Sequence, residues 1–386
     1  MSGGAAMKPL ADLRVLDFSR VLAGPYCTAL LADLGAQVIK VEPPGGDDYR
    51  HIGPFVEGES MLFATVNRGK RSIVLDLAKA EDLAVAHALA ARADVVVENF
   101  RPGVADKLGI GWAQLSALNP RLVYASISGF GQEGELAKRP AYDVILQAMS
   151  GIMAVTGEPD GPPTLVGESI ADVAAGLFAS WAVLVALHER HGTGRGRHID
   201  LAMFDAMVAL QPLVVARYLA TGEAPRRVGN RHPLSAPFGA FAARDGSFVL
   251  AVLNDKLFQR LAACIGAPEI AADPRFTTDS DRLANEGALR ALIEGWSRRL
   301  GAREAVEALV AHGVPAAEIN DMAEALASPH AEARGLLQEV SDARAGMRQV
   351  PEQPARFAGA PRGGLAAAPR LDGDRAAILA DLEDRT

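Results

Sequence analysis

Residues 13–42, L-R-V-L-D-F-S-R-V-L-A-G-P-Y-C-T-A-L-L-A-D-L-G-A-Q-V-I-K-V-E, decide the fold. Residues 13–18 form a short apolar run of strand type. Ala23-Gly24-Pro25 opens a helix that continues through Cys27 to Leu34, Gly35 closes it, and residues 37–42 are a second strand. Two strands joined by one tight helical crossover make a βαβ unit, which builds a parallel sheet covered by helices.

The same alternation extends outward. The spacing predicts a strand over 72–77, a helix over 80–92, a fully buried strand over 94–98 and strands over 122–126 and 197–203. Phe63 to Asn67 leads into Arg68-Gly69-Lys70-Arg71, which reads as a basic turn. Gly129-Phe130-Gly131-Gln132-Glu133-Gly134 has the form G-x-G-x-x-G, but Lys138-Arg139-Pro140 interrupts the helix that a dinucleotide fingerprint must open. A helix is predicted over 204–219. The composition then shifts at Thr221-Gly222-Glu223-Ala224-Pro225, and α+β material follows: strands near 238–241 and 247–253, and helices near 256–265, 286–300 and 302–312. A tail over 353–370, rich in Ala, Gly, Pro and Arg, leads to a last helix near 375–382. The expected domains are 1–220, 221–330 and a return over 331–386 that completes the first.

With 386 residues, about half of them hydrophobic (49%), the chain can bury a large core. Its formal net charge of -8 argues against generic nucleic-acid binding. Cys27 and Cys264 are too far apart in sequence for a metal-ligand spacing and suggest no disulfide framework, which fits a reducing cytoplasm. The start lacks the pattern of a signal peptide, and residues 2–6 read as a frayed lead-in to Met7.

The chemistry points to residues 166–211. An uncharged run from Val173 to Leu187, too short to span a bilayer, is patterned as a buried helix, with Leu177, Trp181, Leu184 and Leu187 on one face. Asp172 stands at its start, and Gly176 one turn later allows close approach of a backbone or ligand. An acid in a first helical turn can simply satisfy free N–H groups and the helix dipole. A carboxylate at the mouth of an apolar wall among Ala171, Ala174 and Ala175 can instead attack a bound acyl group. Local residues leave both readings open.

Together the motifs resemble the class III coenzyme A transferases, the family of formyl-CoA transferase and the carnitine CoA-transferases. The resemblance is carried by residues 13–26, by G-A-Q-V-I-K-V-E (35–42), N-R-G-K-R-S-I-V-L-D-L (67–77), A-D-V-V-V-E-N-F-R-P-G (93–103) and T-G-R-G-R-H-I-D-L-A-M-F-D-A (193–206), and more thinly by G-V-P-A-A-E-I-N (313–320). It implies that Asp172, within I-A-D-V-A-A-G (170–176), is the nucleophile. It further implies that Val21, Ala23, Leu75, Asn99, Phe100, Arg101, Lys107 and Tyr142 contact coenzyme A.

The implied fold is α/β: a Rossmann-like parallel-sheet domain plus a smaller α+β domain, in an interlocked ring-like homodimer. The implied substrates are an acyl-CoA and a small carboxylic acid, with no tightly bound cofactor, no metal and no membrane or nucleic-acid partner. Leu22 replaces the glutamine of formyl-specific members, so formate and oxalate are not expected as substrates. Ala141-Tyr142-Asp143 stands where the related 2-methylacyl-CoA racemases carry G-H-D, so a two-base proton exchange lacks one partner. The alternatives to a transferase are that racemase and a CoA-binding protein without turnover. For the acceptor's distal carboxylate, the candidate cations are Arg20, Arg139, Arg231 and His232.

Overall fold

The computed structural model describes residues 7–341 and 349–384; the lead-in at 2–6 lies outside them. The chain divides into two compact units, one of residues 1–153, 165–223 and 329–386, the other of 154–164 and 224–328. Residues 154–164 thus belong to the second unit rather than with 1–220.

The first unit is built on β1 (Arg14–Asp17), α1 (Ala23–Asp33), β2 (Gln37–Glu42), β3 (Lys70–Val74), α2 (Ala80–Arg92), β4 (Val95–Glu98), β5 (Val123–Ser128), α3 (Asp143–Met149), α4 (Ile170–Thr193), β6 (His198–Ala202), α5 (Met203–Ala209) and α6 (Pro212–Thr221). The six strands form one sheet in the order β3-β2-β1-β4-β5-β6, every neighbouring pair parallel. Because side chains alternate along a strand, the sheet feeds two cores. Val15, Val95, Val97, Val123 and Ala125 meet Cys27 and Leu31 of α1 and the alanines of α4. Leu16, Ile73, Val96 and Tyr124 meet Leu89 and Ala90 of α2, together with Ile378 from the C-terminal helix Arg375–Glu383.

Four sequence expectations change. The helix expected over 204–219 is two helices, because Pro212 cannot continue α5 and instead opens α6. Lys70 is not in a turn: it begins β3, and its ammonium is buried against Asp17 at 2.9 Å. On α4 the buried face is Ala171, Ala174, Ala175, Gly176, Ala179 and Val183, whereas Leu177 and Trp181 are 53% and 62% exposed. The small side chains win the inner face because they let α1 and α4 approach closely: a Cβ on Gly176 would lie 2.6 Å from the Ala23 carbonyl oxygen. The 24 residues of α4 could cross a bilayer by length and composition, so the shortness of its uncharged run does not exclude a span; half of its most apolar window is buried inside the fold.

The second unit carries β7 (Phe238–Ala242), β8 (Ser247–Ala251) and β9 (Ala316–Glu318) as an antiparallel sheet in the order β9-β8-β7. Helices Asp255–Cys264, Glu286–Ser297 and Ala302–Ala311 cover it through Phe258, Leu261, Leu289, Ile293 and Leu309.

Candidate active site

The chain leaves β1 toward β2 and β3 on one side and returns to β4 on the other, so the carboxyl ends of β1 and β4 diverge at a switch point. In open α/β sheets that crevice is where ligands bind. The loop after β1 is held over it by an unusual concentration of buried charge. Val21 has φ +67°, a conformation that a β-branched residue adopts only under constraint. Its N–H donates to Asp47 Oδ1 at 3.0 Å, and Asp47 is ion-paired to Lys40 at 2.8 Å with both side chains fully buried. Lys40 Nζ also donates to the Ser19 carbonyl, while Lys70 Nζ donates to Asp17, to Asn67 Oδ1 and to the Pro25 carbonyl. Burial alone would raise the pKa of Asp17. The Lys70 and Lys40 ammonium groups, with the hydroxyls of Ser19 and Thr28, hold it down at about 2.

Asn99 locks the same loop from β4: its Oδ1 accepts from Arg20 N–H and its Nδ2 donates to the Arg20 carbonyl, both at 2.8 Å. Beside it opens a cavity of about 200 Å³ lined by Phe18, Arg20, Val41, Leu75, Phe100 and Leu108. Leu75 and Phe100 line this crevice, and Asn99, Val21 and Ala23 belong to the loop and helix start beside it. Ala23 and Leu75 are buried, and Asn99 acts through the loop backbone. Arg101 and Lys107 are exposed just beyond it, and Tyr142 is 71% exposed immediately before Asp143. A larger cavity, about 510 Å³, opens at the opposite, amino ends of β1, β2 and β3 near Arg14, Arg71 and Arg92, and none of these site residues lines it.

Asp172 sits in the first turn of α4, yet it does not cap the helix. Ser169, the residue before the helix, makes no side-chain cap either. The cap comes from 28 positions earlier: buried Asp143 accepts from the Ala171 N–H through Oδ1 at 2.7 Å and from Gln147 Nε2 through Oδ2 at 2.7 Å. Gln147 in turn accepts from the Val166 N–H and donates to the Glu168 carbonyl, fixing the segment that delivers Asp172. The Asp172 carboxylate makes no hydrogen bond or ion pair among the described residues. Burial, followed by the like charge of Asp143, pushes its pKa up to about 7. The Tyr49 phenol faces the same acidic group: burial and the Asp172 carboxylate push its pKa up to about 12. A carboxylate that is under-solvated, uncommitted and held at a helix start is equipped for nucleophilic attack.

Sequence reasoning missed Asp143, Gln147 and Asp47. The i, i+4 spacing of Asp143 and Gln147 was visible, but nothing local tied them to a helix that starts at Ile170. Among the candidate acceptor cations, Arg20 is paired with Asp48 at 2.8 Å, Arg231 with Glu286 at 3.0 Å, and His232 stacks on Phe238 at 4.8 Å.

Comparison with known proteins identifies the family. Residues 10–375 match the profile of CoA-transferase family III. The chain is 47% identical over 353 residues to an acetyl-CoA:oxalate CoA-transferase of Acetobacter aceti, covering 91% of this chain and 90% of that protein. It is 42% identical over 343 residues to a succinyl-CoA:mesaconate CoA-transferase of Haloarcula hispanica, covering 86% of each. The crystal structure of a CaiB/BaiF family protein from Brucella suis superposes with a TM-score of 0.87 at 41% identity, covering 98% of this chain and 100% of that one. The chain belongs to CoA-transferase family III. It is an enzyme that moves coenzyme A between an acyl-CoA and a carboxylic acid, which sets aside the racemase and the binding protein without turnover.

Proposed function

We propose that Asp172 carries coenzyme A transfer covalently and that the acceptor is a small dicarboxylate. The observation behind the first half is the free, under-solvated Asp172 carboxylate whose expected capping role is filled by Asp143. Asp172 attacks the donor thioester carbonyl, the CoA thiolate leaves, and a mixed anhydride forms. The thiolate attacks the aspartyl carbonyl of that anhydride, releasing the donor acid and leaving an aspartyl-CoA thioester. The acceptor carboxylate attacks this thioester and expels the thiolate. The thiolate then attacks the acceptor's carbonyl in the second anhydride, forming the new acyl-CoA and restoring the Asp172 carboxylate. Acyl, thiolate and carboxylate balance with no redox step.

The crevice at β1 and β4 supports the reading of Val21, Ala23, Leu75, Asn99, Phe100, Arg101, Lys107 and Tyr142 as the coenzyme A side of the site, with the nucleotide in the Leu75–Phe100 cavity. The two relatives named above are described by oxalate and by succinyl-CoA with mesaconate, which favours a dicarboxylate here. Exclusion of oxalate on account of Leu22 loses its basis: that side chain is buried where α1 begins and is not available to an acceptor. Enzyme incubated with donor acyl-CoA and no acceptor should gain the mass of coenzyme A on the peptide containing Asp172, and hydroxylamine should remove it. An adduct mapping elsewhere, or none, would overturn the covalent role. Scoring acids by mass against that charged enzyme identifies the acceptor.

The working form we propose is a cytoplasmic homodimer. The exposed Leu177, Trp181, Leu184 and Val185 on α4 form an apolar stripe that a second copy would cover. Sedimentation should show a dimer down to low concentration; a folded monomer there contradicts it.

A further inference from the structure

Behind the nucleotide crevice lies a buried acid that the chemistry above does not use. Glu98, the last residue of β4, is 3% exposed, and no cation pairs with it among the described residues. Its Oε2 accepts from the Phe100 N–H at 2.8 Å. The Ser126 hydroxyl, directly across the ladder on β5, hydrogen-bonds the same carboxylate and lies 3.0 Å from His198 Nε2 of β6. His198 is held flat by Trp112, ring centroids 5.6 Å apart and planes 14° from parallel. The Asn99-Phe100-Arg101 turn is thus pinned at two points. The Asn99 amide grips the Arg20 backbone, and the Phe100 N–H donates to the Glu98 carboxylate.

A buried carboxylate without a cation costs stability, and an amide or an apolar side chain would serve packing alone at lower cost. What the carboxylate adds is a charge-assisted hold on one N–H, that of the residue whose ring lines the nucleotide cavity. We propose that Glu98 is a positioning residue for acyl-CoA binding: it sets the Phe100 turn through that hydrogen bond, and its ionisation makes acyl-CoA affinity depend on pH. This rests on the reading of the Leu75–Phe100 cavity as the nucleotide site.

The groups facing Glu98 are Ser126 and Tyr124 of β5, His198 and Asp200 of β6, and Asp106 of the short helix Val104–Lys107. Burial raises the Glu98 acid to about 7, against the Ser126 and Phe100 hydrogen bonds that lower it, and Asp106 and Asp200 raise it further. Glu98 is therefore mostly protonated at pH 6 and mostly ionised at pH 8, where its hold on Phe100 is stronger.

The test is steady-state kinetics of Glu98→Ala, Glu98→Gln and Phe100→Ala between pH 6 and 8. Glu98→Ala should raise the KM for acyl-CoA about tenfold with kcat within about threefold. Glu98→Gln, whose amide oxygen still accepts the Phe100 N–H, should match the wild type at pH 6 and show a KM about threefold higher at pH 8. The wild-type to Glu98→Gln ratio cancels titration of the substrate's own phosphate. Phe100→Ala should raise KM at least about tenfold. A wild-type to Glu98→Gln ratio that stays flat across this range overturns the proposal even if Glu98→Ala does not fold. A KM unchanged in Glu98→Ala, with Phe100→Ala impaired, overturns the role of Glu98 alone. A KM unchanged in Phe100→Ala removes the nucleotide reading and the proposal with it.

Discussion

Asp172→Ala should fold, bind coenzyme A and lose transfer by about four powers of ten or more. The size of the effect follows from the mechanism. Without a carboxylate to form the anhydride and hold the thioester, transfer needs donor and acceptor to meet directly, and the covalent relay is gone. The opposing expectation is equally definite. If Asp172 merely stabilised the helix start, its removal would cost about 1 kcal/mol of stability and leave turnover intact. The first outcome is favoured by the geometry, since the Ala171 N–H is taken by Asp143 and the Asp172 oxygens make no hydrogen bond or ion pair among the described residues. Activity within tenfold of wild type in Asp172→Ala, measured on protein with an unchanged melting temperature, would remove the covalent mechanism.

Asp143→Ala should lower kcat by about a hundredfold, because losing the cap and the grip on Gln147 lets the start of α4 and its nucleophile drift. Asp143→Asn separates position from charge. Its amide oxygen still accepts the Ala171 N–H, while its Nδ2 cannot accept from Gln147 Nε2, and the negative charge that helps raise Asp172 is gone. Attack needs ionised Asp172, so the wild-type rate of chemistry should rise with pH through about 7. With the like charge removed, Asp172 becomes more acidic, and this acid limb should move to lower pH in Asp143→Asn. Single-turnover rates from pH 5 to 9 test both statements. An acid limb that stays in place, or moves up, contradicts the assignment of Asp143 as the charged neighbour.

Much of the sheet was legible because its signals are local. Strand periodicity and the Gly35 stop mark β1, α1 and β2 within thirty residues, and the divergence of β1 from β4 follows once the crossovers are read. The charged residues were not legible. Arg68 and Lys70 look like a solvated basic turn, yet Arg68 is buried in a bidentate pair with Asp33 and Lys70 is buried on Asp17, 53 residues away. A sequence does not show which charges find partners across such distances. The inner face of α4 was misassigned for a related reason: hydrophobicity ranks leucine and tryptophan above alanine, but close helix contact selects for small volume. Asp172 as the proposed nucleophile was marked by family resemblance, while the Asp143–Gln147 pair that holds its helix start is a tertiary feature with no local mark.

The alanine and glycine seam between α1 and α4 also limits how acceptor preference can be redesigned. Directly behind Asp172 there is no side-chain volume to trade, since even a methyl group on Gly176 would strike the Ala23 carbonyl. A library that randomises this wall would return mostly misfolded protein. Changes of acceptor size or charge must come from residues facing Asp172 across the crevice, such as Tyr49, whose phenol senses the Asp172 charge.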